Sequence, residues 1–360
     1  MYTFAVKLEN TEMEKIPHVK KIIWTNNLRV LATISVILLH VSGQILIQYG
    51  KVSDFVWWTG NLYDSAVRFC VPVFVMLTGA LLLPKAYEIR EFLKKRFLRI
   101  MLPFLFWSFV YIVFTYYVKL SPNHEMSTLE ITKWSLDLLR SGSSPHLWYI
   151  YMIIGIYLIT PILSIWAQNC KENEILYFLI IWLLALILNQ PILEKYITDI
   201  DLSYFSDFIG YLVLGYYLSV KTFKYSKVTI NITAILLIIM GVIITIAGTY
   251  YLTLSDGKFN QYFYGYMTLN TLMVSIGIFV VFKNSNTTQS SKIIDIISKY
   301  SYGIYLVHIL VLFYLSKIGI DFSLINPIFS IPLTTLLCLL FSTLIVYIVN
   351  KLPYGNYISG

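Results

Sequence analysis

The sequence predicts an all-α polytopic membrane protein of about ten transmembrane helices, with both termini in the cytoplasm. Three observations support this prediction: the composition, the series of long apolar segments, and the distribution of Lys and Arg. Hydrophobic residues make up 58% of the 360 positions and charged residues only 13%, whereas about a quarter of the residues in a soluble domain are charged. A soluble domain of this length does not need so many apolar residues for its core, so we expect lipid to surround much of the protein.

Windows of about 20 mostly apolar residues mark the candidate transmembrane segments. There are ten such windows, at 28–48, 62–83, 98–118, 147–166, 175–192, 204–220, 229–251, 262–282, 300–318 and 327–349. The fifth and sixth windows are short, and the loop 191–203 between them could re-enter the membrane.

The basic residues orient these segments. Nineteen of the 27 Lys and Arg residues fall on the side that holds both termini, and an excess of this kind marks cytoplasmic loops. The formal charge of +8 is therefore explained by topology and the lipid bilayer, and no nucleic-acid partner is expected. We expect a cytoplasmic segment 1–27, one transmembrane domain 28–350 and a cytoplasmic tail 351–360.

The cysteines and histidines do not show the spacing of a disulfide framework or a metal site. Cys70, Cys170 and Cys338 lie in or beside apolar segments, where small buried residues are expected. The histidines have no nearby carboxylates or thiolates in the sequence, so no metal is expected. The polar, basic N-terminus does not resemble a cleavable signal peptide.

Arg29 and His40 are the first candidates for a functional site. Eleven steps of 100° place both side chains within about 20° of one helix face, and His40 lies roughly 16 Å deeper than Arg29, near the middle of the membrane. Ionisable residues at that depth are costly and often functional. The alternatives are a histidine that only hydrogen-bonds across helices and an arginine that snorkels to the cytoplasm.

His308 is expected at a similar depth on another helix that also enters from the cytoplasm. Ser301, Tyr305 and His308 follow an i, i+4, i+7 pattern and form a polar stripe, which should face protein or a water-filled cavity. His40 and His308 could therefore line one site, although His308 could also support His40 structurally.

The cytoplasmic loop 84–99 contains six basic residues, among them Lys95, Arg96 and Arg99. Arg96 and Arg99 are i, i+3 neighbours on a helix that enters the membrane. Paired guanidinium groups suit phosphate oxygens, although topology and anionic lipid would account for the cluster equally well.

Four residues mark the outer ends of the second and fourth predicted helices: Asp64, Arg68, His146 and Trp148. An aromatic ring beside charged and hydrogen-bonding groups suits carbohydrate hydroxyls. Ordinary interfacial anchoring is the alternative for the aromatic residues.

These motifs resemble the acyltransferase-3 family of integral membrane O-acyltransferases, and within it the stand-alone surface-polysaccharide O-acetyltransferases of bacteria. Arg29 and His40 match the R-x10-H pattern of its first helix, and Arg96 and Arg99 match the R-x-x-R before its third helix. Three longer segments resemble its second helix, its fourth helix and its Ser-Tyr…Tyr-Leu-x-His segment, namely VRFCVPVFVMLTGALLL, HLWYIYMIIGIYLITPIL and ISKYSYGIYLVHILV.

The resemblance implies transfer of an acyl group, usually acetyl from acetyl-CoA as co-substrate, to a hydroxyl of an envelope glycan or glycolipid. It implies a multi-pass protein of the bacterial plasma or inner membrane that carries no bound cofactor. Some relatives carry an extracytoplasmic SGNH-type esterase domain that this sequence does not show, so we expect either the membrane domain to complete the transfer or a partner protein to finish it. Taken with the residue patterns, it assigns catalysis to His40 and His308, acyl-CoA binding to Arg29, Lys95, Arg96 and Arg99, acceptor binding to Asp64, Arg68, His146 and Trp148, and a supporting role to Ser301 and Tyr305.

Several alternatives stay open at the level of sequence. His40 could act as a general base or form an acyl-histidine intermediate. A transporter or flippase of a polysaccharide or glycolipid intermediate is the main rival function, although no internal repeat typical of transporters is visible. The acceptor, the acyl chain length and the choice between a monomer and a homodimer are not fixed.

Overall fold

The computed structural model describes residues 18–120, 127–188, 190, 207–287 and 289–360. Within these residues the chain is all-α, as predicted, and has no β-strand. Its helices are α1 His18–Leu46, α2 Asp54–Val67, α3 Cys70–Leu82, α4 Ile89–Thr115, α5 Thr128–Ser141, α6 Trp148–Asn169, α7 Glu172–Leu188, α8 Ile209–Val220, α9 Lys227–Asp256, α10 Leu269–Lys283, α11 Lys292–Lys317 and α12 Pro327–Lys351. A π-helical turn follows α4 at Tyr116–Leu120, and 3-10 turns lie at Pro145–Leu147, Tyr262–Tyr264 and Gly355–Tyr357.

Eight segments within the described residues are long and apolar enough to cross a membrane. They are Ile23–Leu46, Asp54–Leu82, Ile89–Val118, Pro145–Asn169, Lys227–Asp256, Tyr262–Lys283, Lys292–Lys317 and Pro327–Lys351. The prediction of a multi-pass membrane protein is confirmed, but the count of ten is not. The fifth and sixth predicted helices correspond to α7, with 17 residues, and α8, with 12. The predicted re-entrant loop 191–203 lies outside the described residues.

The second membrane segment begins earlier than predicted and is broken in its middle. Its first part, α2, begins after Ser53, whose hydroxyl accepts a hydrogen bond from the Val56 amide. The break falls at Arg68 and Phe69, between α2 and α3. Pro72 explains this position because its nitrogen cannot donate to the carbonyl of residue 68. The break places Arg68 at a junction between two helices.

Helix α5 was not predicted because its residues alternate between polar and apolar and form no long apolar window. Ser127 and Glu130 form a capping box at its N-terminus, which satisfies two backbone amides of the first turn. None of its residues is fully buried. In the predicted topology this helix lies on the outer side, between α4 and α6.

Helix α3 lies at the centre of the bundle because two glycines let it approach α8 closely. A Cβ atom at Gly79 would lie 1.8 Å from the carbonyl oxygen of Leu212, and one at Gly215 would lie 2.1 Å from that of Met76. The two backbones are therefore in direct contact, as in many small-residue helix pairs in membranes. Helix α3 also packs against α1 and α6.

The residues after α12 fold back against the bundle. The Trp107 indole of α4 donates a hydrogen bond to the Ile358 carbonyl (3.0 Å), and the Asn350 amide donates to the Ser359 hydroxyl (2.8 Å). Gly303 of α11 makes room for this segment, since a Cβ there would lie 2.0 Å from the Ser359 carbonyl oxygen. The segment 352–360 thus forms part of the wall between α4 and α11.

Candidate active site

Three histidines converge in the middle of the bundle. His40 comes from α1, His308 from α11 and His146 from the short turn before α6. The ring centroids of His40 and His308 are 5.1 Å apart, those of His146 and His308 are 5.1 Å apart, and those of His40 and His146 are 6.3 Å apart. The structure thus brings together the two histidines that the sequence placed at similar depth, and it adds a third.

His146 was expected at the outer mouth of a helix, but the structure places it deeper. Ser143, Ser144, His146 and Leu147 are buried, with His146 only 3% exposed, while Pro145 is exposed. The His146 Nδ1 atom lies 2.9 Å from the Ser144 hydroxyl oxygen. Sequence periodicity could not show this, because the segment lies just outside the apolar window and reaches the site through a turn.

The hydrogen bond of His308 determines which of its nitrogens is free. Its Nδ1 atom lies 2.6 Å from the Tyr305 carbonyl oxygen. A carbonyl only accepts, so Nδ1 carries the proton and Nε2 of the neutral ring carries a lone pair. Among the described residues, the buried Nε2 atoms of His308 and His146 have no hydrogen-bond partner. Unpaired buried nitrogens of this kind are available to a substrate atom.

Tyr305 packs against the histidine cluster on the side nearer the N-terminal end of α11. Its hydroxyl donates a hydrogen bond to the His146 carbonyl oxygen. Its ring lies 5.3 Å from that of His146, 5.8 Å from that of His308 and 5.5 Å from that of Tyr149, between centroids. The hydroxyl of Ser301, the other predicted supporting residue, donates to the Ser298 carbonyl (3.0 Å).

A cavity of about 410 Å³ lies on the side of Tyr305 that is nearer the N-terminal end of α11. Its walls come from α1, α3, α4, α6 and α11 and from the C-terminal segment. Five cationic side chains line it, namely Arg29, Lys85, Arg96, Arg99 and Lys299, and the described residues that line it include no Asp or Glu. A cavity with this lining suits a polyanion.

The arginines predicted for this region occupy distinct positions. Arg29 donates to the Ser298 hydroxyl (3.0 Å) and to the Asn26 side-chain oxygen (3.4 Å), which fixes it between α1 and α11. The Arg96 guanidinium carbon lies 5.8 Å and 5.9 Å from the ring centroids of Phe92 and Tyr157. Arg99 is exposed at the mouth of the cavity.

Two of the five cations were not predicted from the sequence, and one residue that was predicted to bind the donor lies outside the cavity. Lys85 lies in the loop between α3 and α4, and Lys299 lies in the N-terminal part of α11. The one feature of the sequence that could have indicated these two lysines was their position beside apolar windows. Lys95, which was predicted to bind acyl-CoA, is exposed and is not among the residues that line the cavity.

A second, much smaller cavity of about 10 Å³ reaches His308. It shares four lining residues with the large cavity: Val36, Phe74, Ser301 and Tyr305. His40 lines neither cavity. The cationic cavity therefore ends one layer of side chains away from the histidines.

The residues predicted to bind an acceptor divide into three places. Asp64 and Arg68 form an ion pair between α2 and the helix break. The Ser42 hydroxyl donates to Asp64 (3.3 Å), so this carboxylate faces α1 two residues beyond His40. The Arg68 guanidinium lies 4.0 Å from the ring centroid of Tyr264.

His146, the second of the three, belongs to the histidine cluster. Trp148 lies at the third position, near the start of α6. The Trp148 ring stacks on Tyr266 with a centroid distance of 5.7 Å and an interplanar angle of 27°. Tyr264 and Tyr266 were not singled out from the sequence because they lay at the start of an apolar window. Trp148 is exposed and Tyr266 and Arg68 are partly exposed, whereas the Tyr264 ring beneath the Arg68 guanidinium is buried.

Cys70 and Cys338 are buried free thiols and Cys170 is a partly exposed one. The Cys338 thiol donates to the His308 carbonyl oxygen (3.5 Å). Within the described part of the chain, no group of three or more His, Cys, Asp or Glu side chains could hold a metal ion.

A bundle of apolar helices around a cationic cavity and a buried histidine cluster defines a polytopic membrane protein with an internal site. A family model described as an acyltransferase domain, the acyltransferase-3 model, matches residues 22–349. The chain therefore belongs to the acyltransferase-3 family, and the protein is a membrane acyltransferase. The matched range includes all three histidines of the cluster and the cationic residues of the cavity. No curated protein and no solved structure matches the chain.

Proposed function

We propose that the protein transfers an acyl group from cytoplasmic acyl-CoA, with acetyl-CoA as co-substrate, to a hydroxyl of a cell-envelope glycan or glycolipid in the bacterial plasma membrane. One observation supports this proposal most strongly. The 410 Å³ cavity has five cations and, among the described residues, no carboxylate side chain in its lining, and it ends one side-chain layer from three imidazoles.

The cations account for binding of the donor. Coenzyme A carries a diphosphate and a further phosphate, so its nucleotide end is too highly charged to enter the apolar bundle. The guanidinium groups of Arg96 and Arg99 at the mouth suit these phosphate oxygens. Its narrow pantetheine arm would run inward along Leu77, Ile153 and Tyr149, which line the same cavity.

His40 would act as the general base. Its neutral ring takes the proton of the acceptor hydroxyl as the hydroxyl oxygen attacks the thioester carbonyl carbon. A carbon–oxygen bond forms, the carbon–sulfur bond breaks, and the imidazolium returns the proton to the departing thiolate. The unpaired Nε2 of His308 lies beside His40 and could accept its N–H, which would leave the lone pair of His40 directed at the acceptor.

The acceptor would approach from the outer side. The stacked rings of Trp148 and Tyr266 and the guanidinium of Arg68, which lies over the buried Tyr264, would offer ring faces and hydrogen-bond donors together. Sugar rings stack on aromatic faces, and their hydroxyls pair with charged and phenolic groups. The buried Asp64 would hold Arg68 in position and, through Ser42, the part of α1 that carries His40.

The proposal is tested with purified protein, acetyl-CoA labelled in the acetyl group and an envelope glycan fraction. We expect release of free CoA thiol together with labelled glycan, and we expect His40→Ala to lower the transfer rate by about 10²- to 10⁴-fold. Gln44→Ala is the matched control, because Gln44 lies one turn further along α1 with an exposed side chain; its rate should equal that of the wild type.

Two results would contradict the proposal. Near-full transfer by a folded His40→Ala variant would remove His40 from the role of base. Movement of a glycolipid across the membrane without any CoA release would indicate a transporter instead.

A further inference from the structure

The two cavities meet at a narrow wall in the middle of the bundle. On the cytoplasmic side of this wall the free volume is about 410 Å³, and on the side of His308 it is about 10 Å³. A space of the smaller size holds about one water-sized group. The wall consists of the four residues common to both cavities, Val36, Phe74, Ser301 and Tyr305.

Of these four residues, Phe74 is bulky and has no polar tether on its side chain. Tyr305 is held by the hydrogen bond from its hydroxyl to the His146 carbonyl, while Val36 and Ser301 are already small. The Phe74 ring packs against Tyr149, with 6.2 Å between centroids. Its backbone carbonyl accepts from the Thr78 hydroxyl, a bond that any residue at position 74 would retain.

We propose that Phe74 limits the donor acyl group to two carbons and is therefore a specificity-determining residue. This inference rests on the proposed function as an acyl-CoA-dependent acyltransferase. With the thioester carbonyl at the wall, the methyl of an acetyl group is about the size of the small cavity. Each further methylene would overlap the Phe74 ring or its neighbours, and packed interiors resist added volume.

Removal of the ring would join the two cavities without breaking a hydrogen bond. Longer acyl chains would then extend toward His308 into the volume that the ring occupied. Phe74→Ala should therefore relax the chain-length preference while acetyl transfer continues. Phe74→Leu should relax it less, and it provides a second variant if the alanine variant does not fold.

The test compares kcat/KM for acetyl-, propionyl-, butyryl- and hexanoyl-CoA, measured as the rate at which the purified full-length protein releases CoA while the envelope glycan fraction accepts the acyl group. One methylene in an apolar pocket changes kcat/KM by about tenfold or more. We therefore expect the wild type to prefer acetyl-CoA over butyryl-CoA by at least about 100-fold. In Phe74→Ala this ratio should fall below about tenfold.

Leu81→Ala is the matched control. Leu81 lines the same cavity from the same helix, about 10 Å nearer the cytoplasm. Its ratio of acetyl to butyryl activity should stay at the wild-type value, because the acyl end of the donor does not reach it.

The possible results separate the two claims. A wild type that uses all four chains equally would overturn the length limit and leave the proposed function intact. An unchanged ratio in both Phe74 variants, with acetyl turnover retained, would also overturn the role of Phe74. If the wild type releases CoA from none of the four donors, the proposed function fails, and this inference fails with it.

Discussion

Arg96 and Arg99 lie one turn apart near the start of α4, and both line the cationic cavity. If they hold the phosphates of the donor, Arg96→Ala should weaken acyl-CoA binding by about tenfold or more, because hydrogen bonds to charged groups contribute roughly 1.5–3 kcal/mol. The effect of Arg99→Ala should be smaller, since solvent screens this exposed residue. Calorimetric titration of the purified variants with a non-hydrolysable acyl-CoA measures both.

Lys94→Ala provides the control for these variants. Lys94 belongs to the same helix and carries the same charge, but it is exposed and does not line the cavity. Its affinity should match that of the wild type. Unchanged affinity in both arginine variants would mean that the pair serves only topology or lipid contact.

Some residues of the site could be predicted from the sequence because one helix fixes their relation. Helical geometry alone relates Arg29 to His40 and Arg96 to Arg99. Contacts between elements could not be predicted in this way. His146 joins the cluster through a buried turn, and Lys85 joins the cavity from a loop, so neither position follows from helical spacing.

The contact between α3 and α8 depends on two glycines. Gly79→Ala and Gly215→Ala would each place a Cβ against a carbonyl oxygen of the other helix. Because α3 also carries Phe74 and the cavity wall, both variants should lower the thermal stability and the acyl-transfer rate. Overpacking of this kind costs about 1–3 kcal/mol, which a thermal unfolding scan in detergent would detect.

Gly155→Ala is the control for this pair. Gly155 lies within α6, and a Cβ there would meet no atom within 4 Å. Its unfolding temperature should be unchanged or slightly higher, because alanine favours helix. Equal stability for all three variants would show that α3 and α8 are not in direct backbone contact.

Among the secondary-structure elements, the long apolar helices were predicted from the sequence. The break in the second membrane segment and the amphipathic helix α5 were not. Apolar windows show where a helix can cross lipid, so the eight long segments were found. The break at Arg68 follows from Pro72, but a hydropathy window does not register one proline. Helix α5 has polar residues on one side and therefore also falls below any apolar window.

If both termini are cytoplasmic, as the distribution of Lys and Arg predicts, the cationic cavity faces the cytoplasm. The exposed Lys133 of α5 should then face outward and the exposed Lys94 of α4 inward. In a Cys170→Ser background, whose other two cysteines are buried, an impermeant maleimide should label Lys133→Cys in intact cells. Lys94→Cys should react only after permeabilisation, and the opposite pattern would reverse the topology.

The central claim is that a donor held by the cations reaches the histidine cluster through the cavity. The most direct measurement is an experimental structure of the protein with a non-hydrolysable acyl-CoA. We expect its phosphates against Arg96 and Arg99 and its acyl end at the wall formed by Phe74 and Tyr305, beside His308 and His40. An acyl end directed into lipid, or a nucleotide bound away from this cavity, would contradict the account.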